Sequence, residues 1–102
     1  MLTTSAPEYL VKAPSERRYY TMDFSNLMDT GETITRIDSI TSEKRGGATS
    51  DLLIADSGIV DQTVGMWIQN GTNFQTYRVE VQISTSAGQV LQGDGLLKVS
   101  DK

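Results

Sequence analysis

The chain has 102 residues, nine Lys plus Arg, thirteen Asp plus Glu, a formal charge of -4, no His and no Cys. That length fits one domain around one core, while the missing Cys exclude disulfides and thiolate chemistry and the missing His remove the commonest general base and transition-metal ligand. The acidic balance argues against nucleic acid as a partner, and no apolar run reaches the roughly 18 residues of a membrane span or forms a signal-peptide core after Met1, so binding modules and structural proteins remain.

Both prolines, Pro7 and Pro14, fall in the first fourteen residues. Proline denies donors to a ladder and pushes its predecessor toward extended backbone. Residues 1–16 are therefore expected to form an extended arm outside the core, leaving residues 17–102 as the domain. The arm still carries Leu2, Tyr9, Leu10 and Val11. Such a strip suits an exposed sheet edge of another subunit, becoming ordered on assembly.

Residues 17–24 place Tyr20, Met22 and Phe24 on one face, with Tyr19 breaking the alternation. Asp29-Thr30-Gly31 marks a turn, and Leu27 and Met28 are expected to cap the core above it. Ile34, Ile37 and Ile40 recur every three residues, yet the density of Thr and Ser favours a strand with a bulge at Arg36 or Ile37. Residues 43–47 read as an exposed loop, in which Lys44 and Arg45 are candidates to meet an acidic neighbour. Residues 52–55 form a short strand closed by a turn at Asp56-Ser57-Gly58. In the next strand Trp67 stands between Met66 and Ile68. Parity puts Met66 and Ile68 inside and Trp67 at a subunit interface, where aromatics are enriched.

Asn70-Gly71 is a turn, and the sequon Asn70-Gly71-Thr72 follows from turn chemistry. Tyr77, Val79, Val81 and Ile83 then alternate with polar residues as in a strand with one dry face. Ser86-Ala87-Gly88-Gln89 closes a tight hairpin. The return strand puts Leu91, Leu97 and Val99 on one side, together with Gly93 and Gly95. About six or seven short strands and no helix give an all-β chain, best matched by an immunoglobulin-like β-sandwich with an extended N-terminal arm. Tyr77 opens the penultimate strand, where a tyrosine corner would bond back to upstream backbone.

No residues assemble a catalytic, metal or cofactor set. Asp51, Asp56 and Asp61 lack calcium-loop spacing and mark strand ends and turns. Asp23 and Asp29 lack the aromatic cleft a glycosidase needs. Lys44-Arg45-Gly46-Gly47 lacks phosphate-loop spacing.

The run Arg18-Tyr19-Tyr20-Thr21-Met22-Asp23-Phe24-Ser25-Asn26-Leu27-Met28-Asp29-Thr30-Gly31-Glu32-Thr33-Ile34 resembles the opening of the tailed-phage fiber-tail adaptor family. Val64 to Thr72, Tyr77-Arg78-Val79 and Thr85-Ser86-Ala87-Gly88-Gln89 resemble its later blocks. The likeness runs from Arg17 to Val99. It departs in three places: Ile40 or a neighbour stands where members carry tryptophan, residues 43–50 look inserted, and Gln89 replaces a basic residue. The resemblance implies an Ig-like fold without catalysis, placed in a virion after synthesis in the host cytoplasm. Its partners would be other virion proteins (tail, connector, fiber or capsid subunits), within a symmetric homo-oligomer, and with neither nucleic acid nor membrane. A capsid decoration protein of the same fold and a carbohydrate-binding module are the alternatives.

Overall fold

A strand with one dry face must bury it against a second layer. The computed structural model, which describes residues 2–3 and 9–101 and the side chains of 10–101, shows two stacked sheets. Among the described residues the strands are β1 (Leu2–Thr3), β2 (Tyr9–Lys12), β3 (Arg18–Asp23), β4 (Ile34–Lys44), β5 (Ala48–Thr49), β6 (Leu52–Val60), β7 (Thr63–Asn70), β8 (Thr76–Thr85) and β9 (Val90–Val99). One sheet runs β1-β3-β7-β6 and the other β2-β9-β8-β4-β5. All pairs are antiparallel except β1 with β3 and β2 with β9. From β3 onward this is the strand order of an immunoglobulin-type sandwich. The core takes Tyr20, Met22 and Phe24 from β3 and its end, and Val64, Met66 and Ile68 from β7. The facing sheet supplies Tyr77, Val79, Val81, Ile83, Leu97 and Val99. Each such side chain contributes roughly 1.5–3 kcal/mol by leaving water.

Two strands are longer and less regular than their patterns suggest. In β4 the register against β8 shifts between Ile34 and Arg36 and again between Ile37 and Ser39. Each shift adds one residue, so a spacing of three returns Ile34, Ile37 and Ile40 to the core side. In β6 the expected turn at residues 56–58 is instead a bulge between Ala55 and Gly58, with Asp56 at φ 53° and the strand continuing to Val60. The expected loop at 43–47 shrinks likewise, because Glu43 and Lys44 pair with Thr49 and Ala48. Only Arg45-Gly46-Gly47 turns, with Gly46 at φ 90° and Gly47 at φ 84°. Leu27 does not cap the core: it lies in a 3-10 turn, 42% exposed, and Met28 alone of that pair packs inward.

The arm needs the largest correction. Residues 9–12 pair with β9 from Leu96 to Val99, and Leu10 packs on this domain's own core. The two prolines flank this stretch and do not interrupt it. Lys12 is fully buried, and its ammonium donates to the carbonyls of Ala13 (2.7 Å), Pro14 (3.4 Å) and Glu16 (3.0 Å). Burial holds its pKa below the usual lysine value. Deleting residues 1–14 would therefore strip a strand from β9, so the arm cannot be removed without cost to the domain.

Both ends of the sandwich are tied by carboxylates. Tyr77, wholly buried, accepts from the Thr72 amide at 2.8 Å and donates to Asp51, which also accepts from the Thr72 hydroxyl at 2.7 Å. This is the tyrosine corner, with a carboxylate added. The Tyr77 and Thr72 donors hold Asp51 below the ordinary carboxylate range, and burial raises the Tyr77 phenol. At the opposite end Glu32 accepts from the Thr85 hydroxyl, the Asp29 amide (2.9 Å) and Gln89 (3.0 Å). The Thr85 hydroxyl is the main cause of its lowered pKa.

Candidate docking surfaces

With Tyr20, Met22, Met66 and Ile68 turned inward, the strand period turns Tyr19 and Trp67 outward. They face each other across the β3–β7 pair, with ring centroids 5.2 Å apart and planes at 58°. Tyr19 lies across Gly65, where an added Cβ would sit 1.8 Å from its hydroxyl oxygen. Glycine at 65 is thus what lets the ring lie down on the sheet. The Arg17 guanidinium stacks 4.3 Å from the Trp67 ring centroid, and its Nη2 reaches Asp56 at 2.8 Å. The β6 bulge presents Asp56 for that contact. Leu53, 48% exposed, shares the outward parity of Trp67. Tryptophan, tyrosine and an arginine whose charge is met by Asp56 are the composition of an interface centre. Trp67 is legible in the sequence as an outward aromatic. Tyr19 and Arg17 are not, because the pairing that brings them to it spans 48 or more positions; Gly65 opposite Thr21 is the only local hint.

The other candidates lie elsewhere. Lys44 and Arg45 sit at the β4–β5 tip, where the Arg45 amide donates to the Thr76 carbonyl at 2.8 Å. Lys44 is 4.0 Å from Asp51. Arg45 makes no ion pair among the described residues. A groove of about 300 Å³ beside the tip is lined by Glu43, Arg45, Arg78 and Leu96, with Arg78 bound to Glu43 and Glu80. Val11 is 43% exposed at the far edge of the second sheet. The Leu2 and Tyr9 side chains lie outside the described residues, although both backbones pair. The candidates therefore form separate surfaces, not one site.

The three spaced aspartates have three jobs. Asp51 anchors Tyr77, Asp56 holds Arg17, and Asp61 takes φ 52° in the β6–β7 turn. Among the described residues no group of three or more acidic side chains could hold a metal ion. No helix among them is long and apolar enough to cross a membrane.

A family model described as the podophage GP4 fiber-tail adaptor protein gp77 matches residues 12–98. The chain belongs to this family. No curated protein matches it. As a phage fiber-tail adaptor it is a structural component of a virion, in agreement with the resemblance noted in its sequence. The matched span takes in Tyr19, Trp67 and the Lys44-Arg45 tip, and leaves Leu2, Tyr9, Leu10 and Val11 outside.

Proposed function

We propose that this fiber-tail adaptor docks on the tail or connector of the particle and links it to a fiber or neighbouring subunit. Its principal contact is the outer face of the β1-β3-β7-β6 sheet, centred on Trp67. The Tyr19–Trp67–Arg17 cluster supports this reading: it is aromatic, already ordered by Gly65 and Asp56, and open to solvent chiefly through Tyr19, 48% exposed, with Trp67 partly buried. A contact whose anchors are fixed before binding loses little side-chain freedom on docking. The reaction class is association, with no bond made or broken.

The test is assembly of particles carrying Trp67→Ala with Tyr19→Ala. The expected outcome is a folded protein, checked by circular dichroism, that no longer enters the particle or no longer retains fibers. Particles that keep the double variant and their fibers in normal number would move the docking surface elsewhere.

A further inference from the structure

Among the described residues four that are not glycine hold a positive φ: Asp56, Asp61, Asn70 and Phe74. Asp and Asn tolerate that backbone because a short polar side chain can bond locally. Phenylalanine has no such bond to make, so Phe74, at φ 68°, is the one bulky side chain among them in a left-handed conformation. It is also the most exposed large hydrophobic side chain among the described residues, at 75%. Burial of the ring in this domain therefore does not offset the strain.

The loop that carries Phe74 is fixed. The Phe74 amide donates to the Val99 carbonyl at 2.8 Å, and the Val99 amide donates to the Gln75 carbonyl at 2.9 Å. The Gln75 amide donates to the Thr72 carbonyl at 3.1 Å, and the Asp101 amide donates to Asn73 Oδ1 at 2.8 Å. Thr72 is itself locked to Tyr77 and Asp51. A backbone over-determined in this way can hold a strained residue, and such residues collect at functional sites. The ring thus stands in water on a stiff base. Its setting in the chain is uncharged, since residues 62–77 contain no Asp, Glu, Lys or Arg. The Asp51 carboxylate that reaches this loop is taken up by Tyr77 and Thr72. Phe74 is tied to β9 of the second sheet, whereas Tyr19 and Trp67 lie on the outer face of the first. The two surfaces are separate.

We propose that Phe74 is the anchor for the fiber protein, its ring entering an apolar pocket of that partner. An adaptor holds two different partners at once. With the Trp67 face on the tail or connector, the fiber meets another surface. Interface energy concentrates in a few aromatic anchors that fill desolvated pockets. A ring with no polar atom fits an apolar pocket, and the uncharged loop around it fits a neutral, hydrogen-bonding rim. Because ring and backbone are set before contact, little freedom is lost on docking. This inference rests on the adaptor reading and adds to it the surface that meets the fiber.

The experiment assembles particles with the full chain carrying Phe74→Ala or Phe74→Asn. Adaptor copies per particle are counted by quantitative mass spectrometry and fibers by electron microscopy. The expected result is a normal number of adaptors and about tenfold or more fewer fibers. The purified Phe74→Asn protein should keep or raise its thermal midpoint, because Asn accepts the positive φ. A midpoint several degrees lower would make the ring part of the fold, and a normal number of fibers would leave it without a partner. Either result overturns the proposal. A folded variant that is itself missing from the particle would put the ring against the tail, the connector or another copy of the chain, and overturns the assignment to the fiber. Particles carrying Trp67→Ala with Tyr19→Ala keep the two readings apart. If those retain adaptors and fibers, the sheet-face reading fails while a loss of fibers in the Phe74 variants still stands.

Discussion

The corner end and the hairpin end are both closed by a carboxylate that accepts hydroxyl donors, yet they rest on different supports. At the corner the key donor is Tyr77, whose ring lies wholly within the core. Its hydroxyl cannot turn to water without moving the ring. At the hairpin end Glu32 divides its bonds among Thr85, Gln89 and the Asp29 amide, and Gln89 is exposed. Losing one donor there leaves two, and Gln89 can exchange its bond for water. The same motif is therefore brittle at one end and tolerant at the other.

The sharpest way to break that comparison uses two glycines of similar backbone. Gly71, near the corner, has φ 103°, and an added Cβ would meet Val99 Cγ2 at 2.8 Å and Leu52 Cδ2 at 3.1 Å. Gly88, in the hairpin turn, has φ 82° and nothing within 4 Å. Gly71→Ala should cost about 3 kcal/mol, combining strain with overpacking, whereas Gly88→Ala should cost about 1 kcal/mol from strain alone. Urea denaturation of both variants checks this, and equal losses would erase the difference between the ends.

Next in size is Tyr77→Phe. It leaves the Thr72 amide and Asp51 without the hydroxyl and should lower stability by about 1–3 kcal/mol. Gln89→Ala at the other end should cost less in the same assay.

That asymmetry also governs how much could be read from the chain. Tyr77 was legible because it opens a strand of clean alternation just after Asn70-Gly71, and the β8–β9 hairpin was legible for the same reason. Asp51 was not, since it meets Tyr77 across 26 positions. The β4 and β6 strands were obscured by their own bulges: an extra residue converts period two into period three, and Asp56 in a left-handed conformation reads like a turn. The pairing of the arm is hidden in the sequence because two prolines close together look like a break, although the four residues between their neighbourhoods pair without interruption. Of the docking surface, the outward turn of Trp67 followed from parity. The Tyr19 and Arg17 contacts needed the sheet.

Acid should loosen both ends. Asp51 and Glu32 are each held below the ordinary carboxylate range by their donors. Folded pKa values below the unfolded ones mean that the stability they confer is present above about pH 4 and is lost as pH falls through the folded values. Asp38, held down by Ser84 and Arg36, adds to the trend and belongs to neither end. Urea midpoints measured between about pH 6 and about pH 2 should fall with pH, and the fall should be shallower in Tyr77→Phe and in Glu32→Gln. A slope unchanged in both variants would remove these carboxylates from the account.

The smallest expected effect is Tyr20→Phe, the same substitution at a second buried tyrosine. The Tyr20 hydroxyl is buried with no hydrogen-bond partner among the described residues. Removing it should leave stability within about 0.5 kcal/mol of the parent or raise it. A loss as large as that of Tyr77→Phe would show that the hydroxyl has a partner after all.

The caged Lys12 ammonium seals its own peptide bond against trypsin. A protease that cuts after lysine must pull that side chain into its own specificity pocket, which requires release from three carbonyls and separation of β2 from β9. The bond between Lys12 and Ala13 is therefore cut only in molecules whose N-terminal strand has come loose. When opening and closing are fast relative to cleavage, the rate of that one cut counts how often the strand detaches.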